Sequence, residues 1–144
     1  INDIKKGIKN NRNRNKELIM FYEFNLADYR RYLCEVTLNP LLKKQYIKET
    51  EETYLEYFKM MKENNVCLVS PASITGHYHY SIFLFEVKDT KTEAIKYLKD
   101  QRLEYISMLD TMFKNFIESY ELIDLITTTL TNWVIATNYK EVEV

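Results

Sequence analysis

Two glycines and two prolines in 144 residues leave this chain few places to turn sharply. Sheets need tight turns, and tight turns draw on glycine and proline. Long uninterrupted helices need neither. The apolar periodicity agrees. From Leu18 to Leu38 no Gly or Pro breaks the run, and Phe21, Leu33 and Val36 recur at helical spacing, so one face can bury. Asn39-Pro40 ends that run. The residue before a proline avoids the helical region, and proline suits the first turn of a new helix. From Pro40 to Asn64 the pattern resumes, with Leu41, Tyr46, Tyr54, Tyr57, Phe58 and Met61 largely on one side. Glu49, Glu51, Glu52 and Glu56 lie on the other, which makes an amphipathic helix whose aromatic stripe reads as core.

Ser70 is a suitable N-cap, with Pro71 in the first helical position. The stretch from Ala72 to Val87 is ambiguous by itself: Ile82, Phe83, Phe85 and Val87 are dense enough for a strand as well as a helix. Thr92-Glu93 opens a further helix through about Met112, with Ile95, Leu98, Leu103, Ile106 and Leu109 inward. Ser119 or a neighbour caps the last helix, which runs to about Ala136 and carries Leu122, Leu125, Ile126, Thr129, Leu130 and Trp133 on one wide face. The expectation is an all-α fold of about five helices, with antiparallel neighbours joined by short connections. Residues 1–17 read as a helix end and a polar linker, 18–136 as the helical domain and 137–144 as a tail.

Charge and composition narrow the function. With 20 basic and 21 acidic residues the net charge is −1, so there is no basic excess to hold nucleic acid. No run of about 18 apolar residues offers a membrane span. Cys34 and Cys67 stand at no metal-like spacing and fit a reducing, cytoplasmic setting better than a disulfide framework. The chain begins at Ile1 rather than methionine, and we take it as part of a longer protein. Catalysis finds no support: His77 and His79 fall on different faces of a helix, two glycines make no phosphate loop, and neither cysteine has an evident histidine partner. No cofactor is implied.

One stretch reaches further, Asp28-Tyr29-Arg30-Arg31-Tyr32-Leu33-Cys34-Glu35-Val36. Arg31 and Tyr32 are adjacent, about 100° apart around the helix. Asp28 lies three residues before Arg31 and Glu35 four after it, so both carboxylates can reach the guanidinium. From spacing alone the favoured reading is an exposed helix bearing ordinary (i, i+4) charge pairs.

Together with Phe21-Tyr22, this stretch resembles the fifth helix of 14-3-3 proteins. Ser70-Pro71 followed by His79-Tyr80-Ser81-Ile82-Phe83-Leu84-Phe85-Glu86 resembles the seventh. Leu109-Asp110-Thr111 is similar to the end of the eighth, and Leu125, Leu130, Thr131 and Trp133 to the ninth. The order is right over nearly the whole chain, and the register favours helix for Ala72–Val87. The resemblance implies an adaptor that binds phosphoserine or phosphothreonine segments in an extended groove. Arg31 and Tyr32 would hold the phosphate, with Asp28 and Glu35 fixing Arg31 from behind. His79, Ile82, Glu86, Leu125, Thr129 and Trp133 would line the peptide groove. It also implies that the full-length protein forms homo- or heterodimers through helices that precede this chain.

The departures from the family pattern bear on affinity. A lysine that aids phosphate binding is here Phe24. Two asparagines that grip the peptide backbone are here His79 and Thr129, and Tyr78 and Asn132 replace two leucines. An asparagine donates and accepts together, so both swaps weaken the clamp. A charged hydrogen bond is worth roughly 1.5–3 kcal/mol, so these changes remove on the order of a hundredfold in affinity. The alternatives are a 14-3-3-like protein that binds unphosphorylated segments, or the helical ligand-binding half of a transcriptional repressor.

Overall fold

A computed structural model describes residues 1–11, 15–111 and 117–139, with side chains at 1–6, 15–109 and 118–139. The described residues contain helices and no strand. They fall into two compact units, Ile1–Val66 and Cys67–Val144.

The first unit holds α1 (Asn2–Asn11), α2 (Lys16–Val36) and α3 (Pro40–Glu63). Its boundaries follow local chemistry. Asn15 caps α2 by accepting from the Glu17 and Leu18 amides at 3.0 and 3.3 Å. Thr37 closes α2 by donating its hydroxyl to the Leu33 carbonyl at 2.6 Å. Asn39 then caps α3 through the Leu41 and Leu42 amides at 3.0 and 3.2 Å, with Pro40 in the first turn. The polar stretch read as linker is helical from Asn2 to Asn11, so α1 is an element that the sequence reading reduced to a helix tail.

α2 and α3 run antiparallel, as their contacts step in opposite directions. Phe24 meets Tyr57, Arg31 meets Tyr54 and Cys34 meets Thr50. Leu26, Ala27, Cys34, Tyr54, Tyr57 and Met61 are buried there. Yet the same interface buries Glu23, Asp28, Arg31, Thr50 and Thr53, and a line of polar groups in a core requires partners for each.

The second unit holds α4 (Pro71–Ile82), a five-residue π-helical turn (Phe83–Val87), α5 (Lys91–Thr111) and α6 (Ile117–Thr137). Ser70 accepts from the Ser73 amide at 3.3 Å, the cap expected with Pro71. The residues that looked strand-like are the last of α4 and the π turn. Phe83 and Leu84 are buried and Phe85 stacks on another helix, so apolar residues are needed on several sides at once. The Lys88 amide donates to the Phe83 carbonyl at 2.9 Å and the Thr90 amide to Leu84 at 2.8 Å, ending the turn at Asp89 with φ 60°. Ser119 is not a cap. It lies inside α6 and donates its buried hydroxyl to the Val69 carbonyl, fastening α6 to the segment before α4.

His77 is a partly buried base in this unit. Its Nδ1 meets the Tyr97 hydroxyl on α5, and burial pushes its pKa down from 6.5 to about 4. Between those values the unfolded chain binds a proton that the native protein refuses, so stability falls as pH drops through that window.

Two outcomes follow for stability. Ser119→Ala leaves the Val69 carbonyl buried without its donor and costs about 1–3 kcal/mol in urea unfolding; an unchanged midpoint contradicts the fastening role. Between pH 7 and pH 4 the stability of the wild type falls relative to His77→Gln by about 2–3 kcal/mol. A gap that stays constant with pH shows that His77 charges freely in the fold.

Candidate functional site

In the first unit the chemistry gathers on the facing sides of α2 and α3. Tyr54 projects from α3, and its hydroxyl donates to Asp28 Oδ1 at 2.7 Å. The same hydroxyl oxygen accepts from Arg31 Nε at 3.1 Å. Arg31 Nη2 stands 3.6 Å from Asp28 Oδ1. One carboxylate, one phenol and one guanidinium thus close a triangle at three residues' spacing on α2, completed from across the helix pair. Arg31 is 7% exposed.

Burial works against its charge, but Tyr54, Asp28 and Tyr32 together outweigh that and raise its pKa above the ordinary value. The same surroundings push Tyr54 far above the usual phenol range, through burial first and then Asp28. Tyr57 is pushed up to about 12 by the same two causes. The cluster is therefore a fixed cation with a neutral phenol behind it. Nη1 of Arg31 takes no hydrogen-bond partner among the described residues.

Tyr32 stands beside it. The Arg31 guanidinium carbon lies 4.8 Å from the Tyr32 ring centroid, and Tyr32 is 47% exposed. An exposed phenol next to a held guanidinium offers two donors of different geometry to one anion. Glu35 does not join them. It is exposed and makes no ion pair with Arg31, because the guanidinium turns toward Tyr54 and Asp28 instead. Asp28 is thus the carboxylate that positions Arg31, and Tyr54 is a positioning group the sequence reading placed only in the core. The signal for it was present: a tyrosine in a buried stripe needs a partner for its hydroxyl.

The rest of the interface is structural. Thr53 donates its hydroxyl to the Glu49 carbonyl at 2.7 Å and accepts from Arg30 Nη1. Thr50 donates to the Tyr46 carbonyl at 2.6 Å, so the Cys34 thiol is the donor in the 3.3 Å contact between them. Burial pushes the Cys34 thiol up, which makes it a poor nucleophile. Glu23 is raised by burial and then by Glu56, against Arg30. Phe24, where the family pattern has a lysine, packs on Tyr57 with ring centroids 5.3 Å apart.

The other expected residues belong to the second unit. Trp133, 9% exposed, stacks face to face on Phe85, with centroids 4.2 Å apart and planes 6° from parallel. Lys91 Nζ lies 4.3 Å from the Phe85 ring centroid. The π turn that carries Phe85 also carries Glu86, which is exposed. Thr129 is occupied: its hydroxyl meets the Tyr78 hydroxyl at 2.9 Å. His79 is half-buried with its ring edge-on to Tyr78 at 6.0 Å. Ile82 is half-buried, while Leu125, at 46%, is open to solvent. The structure thus brings Tyr78, His79 and Thr129 together, and Phe85 with Trp133. The Phe85 stack had no signal in the sequence beyond aromatic density.

Among the described residues no group of three or more His, Cys, Asp or Glu could hold a metal ion. No helix there is long and apolar enough to cross a membrane.

Compared with curated proteins, the sequence finds no match. Compared with protein families, residues 1–134 match the model of the 14-3-3 protein. That match covers α1 to α5 and nearly all of α6, and it takes in both the Arg31 cluster and the residues around Trp133. The chain belongs to the 14-3-3 family of adaptor proteins.

Proposed function

We propose that this chain binds phosphoserine or phosphothreonine segments of other proteins, with Arg31 and Tyr32 as the phosphate contacts. The observation that carries the reading is the guanidinium held by Asp28 and Tyr54 beside an exposed tyrosine. A phosphate group brings nearly two negative charges and several acceptor oxygens. A guanidinium already fixed and largely desolvated loses little freedom when it meets one, which favours binding. On the family resemblance we assign His79, Ile82, Glu86, Leu125, Thr129 and Trp133, all in the second unit, to contacts with the rest of the peptide. Family membership carries two further expectations, a dimeric full-length protein and a cytoplasmic setting.

The groove on this reading is an altered one. Phe24 gives its position to aromatic packing and supplies no charge. Thr129 has its hydroxyl engaged by Tyr78, so a peptide amide would have to displace that contact. These two observations also favour a second reading, in which the chain takes unphosphorylated acidic or amphipathic segments.

Fluorescence-polarisation titration of the full-length protein with a phosphoserine peptide and its unphosphorylated twin separates the two. We expect the phosphopeptide alone to bind. Tyr32→Phe, an exposed change that leaves the core intact, then weakens it by about three- to tenfold. Arg31→Glu abolishes it, and circular dichroism of that variant checks that the helices persist. Phe24→Lys strengthens binding several-fold. Equal affinity for the two peptides transfers the assignment to the unphosphorylated reading.

A further inference from the structure

Between α5 and α6 of the second unit lies a pocket of about 530 Å³ that the phosphopeptide reading does not use. Ile95, Leu130, Val134 and Ile135 give it an apolar lining. Lys99 and Arg102 enter from α5, one turn apart. No carboxylate is among the described residues that line it. Ile135 is 71% exposed at its mouth. Thr127 and Thr131 also line it, each two residues from Thr129 and so about 200° around α6 from the face assigned to peptide.

Arg102 is built in rather than trailing in solvent. It is half-buried, and its Nε donates to Thr127 Oγ1 on α6 at 2.8 Å. The Thr127 hydroxyl donates in turn to the Ile123 carbonyl at 2.9 Å, so its oxygen is oriented to accept. With Nε committed, the two terminal nitrogens of the guanidinium remain. Arg102 makes no ion pair among the described residues.

We propose that this pocket is a binding site for a small amphipathic carboxylate, a hydrocarbon body ending in one carboxylate group. Charge complementarity selects the anion: the Arg102 guanidinium lines the cavity with Lys99 one turn away, and the described lining holds no acid. The paired oxygens of a carboxylate match the fork of a guanidinium. The apolar lining selects the body, and the volume lies within the range of roughly 300–1,000 Å³ usual for small-molecule sites. A ligand with several anionic groups would leave charge against Leu130 and Val134, which is costly. The proposal stands apart from the phosphate reading, since it shares no residue with it.

Decanoate is the probe, followed by amide chemical shifts of the isotope-labelled full-length protein. The expected result is saturable shifts at Thr127, Leu130, Thr131 and Ile135, with affinity rising at least about tenfold from hexanoate to decanoate as the added methylenes are buried. Decanol, which keeps the chain and loses the charge, binds at least about tenfold more weakly. Arg102→Gln weakens decanoate to the same degree and leaves decanol unchanged. Should that variant fail to fold, the decanoate–decanol comparison on the wild type still decides. Shifts that do not saturate, shifts centred on other helices, or equal binding of decanoate and decanol overturn the proposal. A phosphoserine peptide that leaves decanoate affinity unchanged supports a separate site, and one that displaces decanoate from Arg102 overturns it.

Discussion

A guanidinium buried between two helices is the constraint that shapes the first unit. Arg31 cannot sit there alone, because an uncompensated charge in a core costs several kcal/mol. Asp28, one turn earlier on the same helix, supplies the opposite charge. Tyr54, from the facing helix, ties the two together by donating to one and accepting from the other. That arrangement fixes the register of α2 against α3 at the one level where Tyr54 meets Arg31. Above and below it the contacts are a phenyl ring on a phenol, Phe24 on Tyr57, and a thiol on a hydroxyl, Cys34 on Thr50. Such a cluster is a modest source of stability, since well-packed apolar groups do as well. Its value lies in holding a cation at a fixed place beside Tyr32.

The second unit spends its polar groups differently. Tyr78 and Thr129 satisfy each other, where the family pattern has a leucine and an asparagine. An isolated threonine hydroxyl on a half-buried helix face would compete for water or for its own backbone, as Thr127 and Thr137 do with the carbonyls four residues earlier. A tyrosine on α4 gives Thr129 a side-chain partner. The two substitutions thus read as a compensated pair. The same logic covers Phe85 and Trp133, which stack in parallel, with the Lys91 ammonium over the Phe85 ring. The π turn brings Phe85 to that position, and a five-residue hydrogen-bonded turn inside a helical segment often marks a functional surface.

Much of this was legible in the residues. Asn39-Pro40 and Ser70-Pro71 announce helix starts through local chemistry that no tertiary contact needs to support, and both helices begin at the proline; the Ser70 cap forms as expected, and Asn39 adds a cap that was not foreseen. The all-α class followed from the scarcity of Gly and Pro. The partners of Arg31 were legible only in part. Spacing allows both Asp28 and Glu35, but it cannot tell which way a long side chain turns, and a tyrosine 23 residues away decided it. Ser119 looked like a cap because serine commonly is one; its hydroxyl is instead claimed by Val69, 50 residues earlier. The π turn was illegible for the same reason, since Phe83, Leu84 and Phe85 are placed by what they pack on. The helix at Asn2–Asn11 was hidden by its polar composition.

The central claim is that Arg31, held by Asp28 and Tyr54, meets a phosphate dianion. The phosphorus resonance of a phosphoserine peptide, followed against pH with and without the full-length protein, tests this most directly. A guanidinium beside the phosphate favours its dianion, so the second phosphate pKa, near 6 in the free peptide, falls by about a unit on binding. In the Arg31→Gln variant the shift disappears. A bound peptide whose phosphate titrates as it does in free solution contradicts the account, and leaves the Arg31 cluster as a device for aligning α2 with α3.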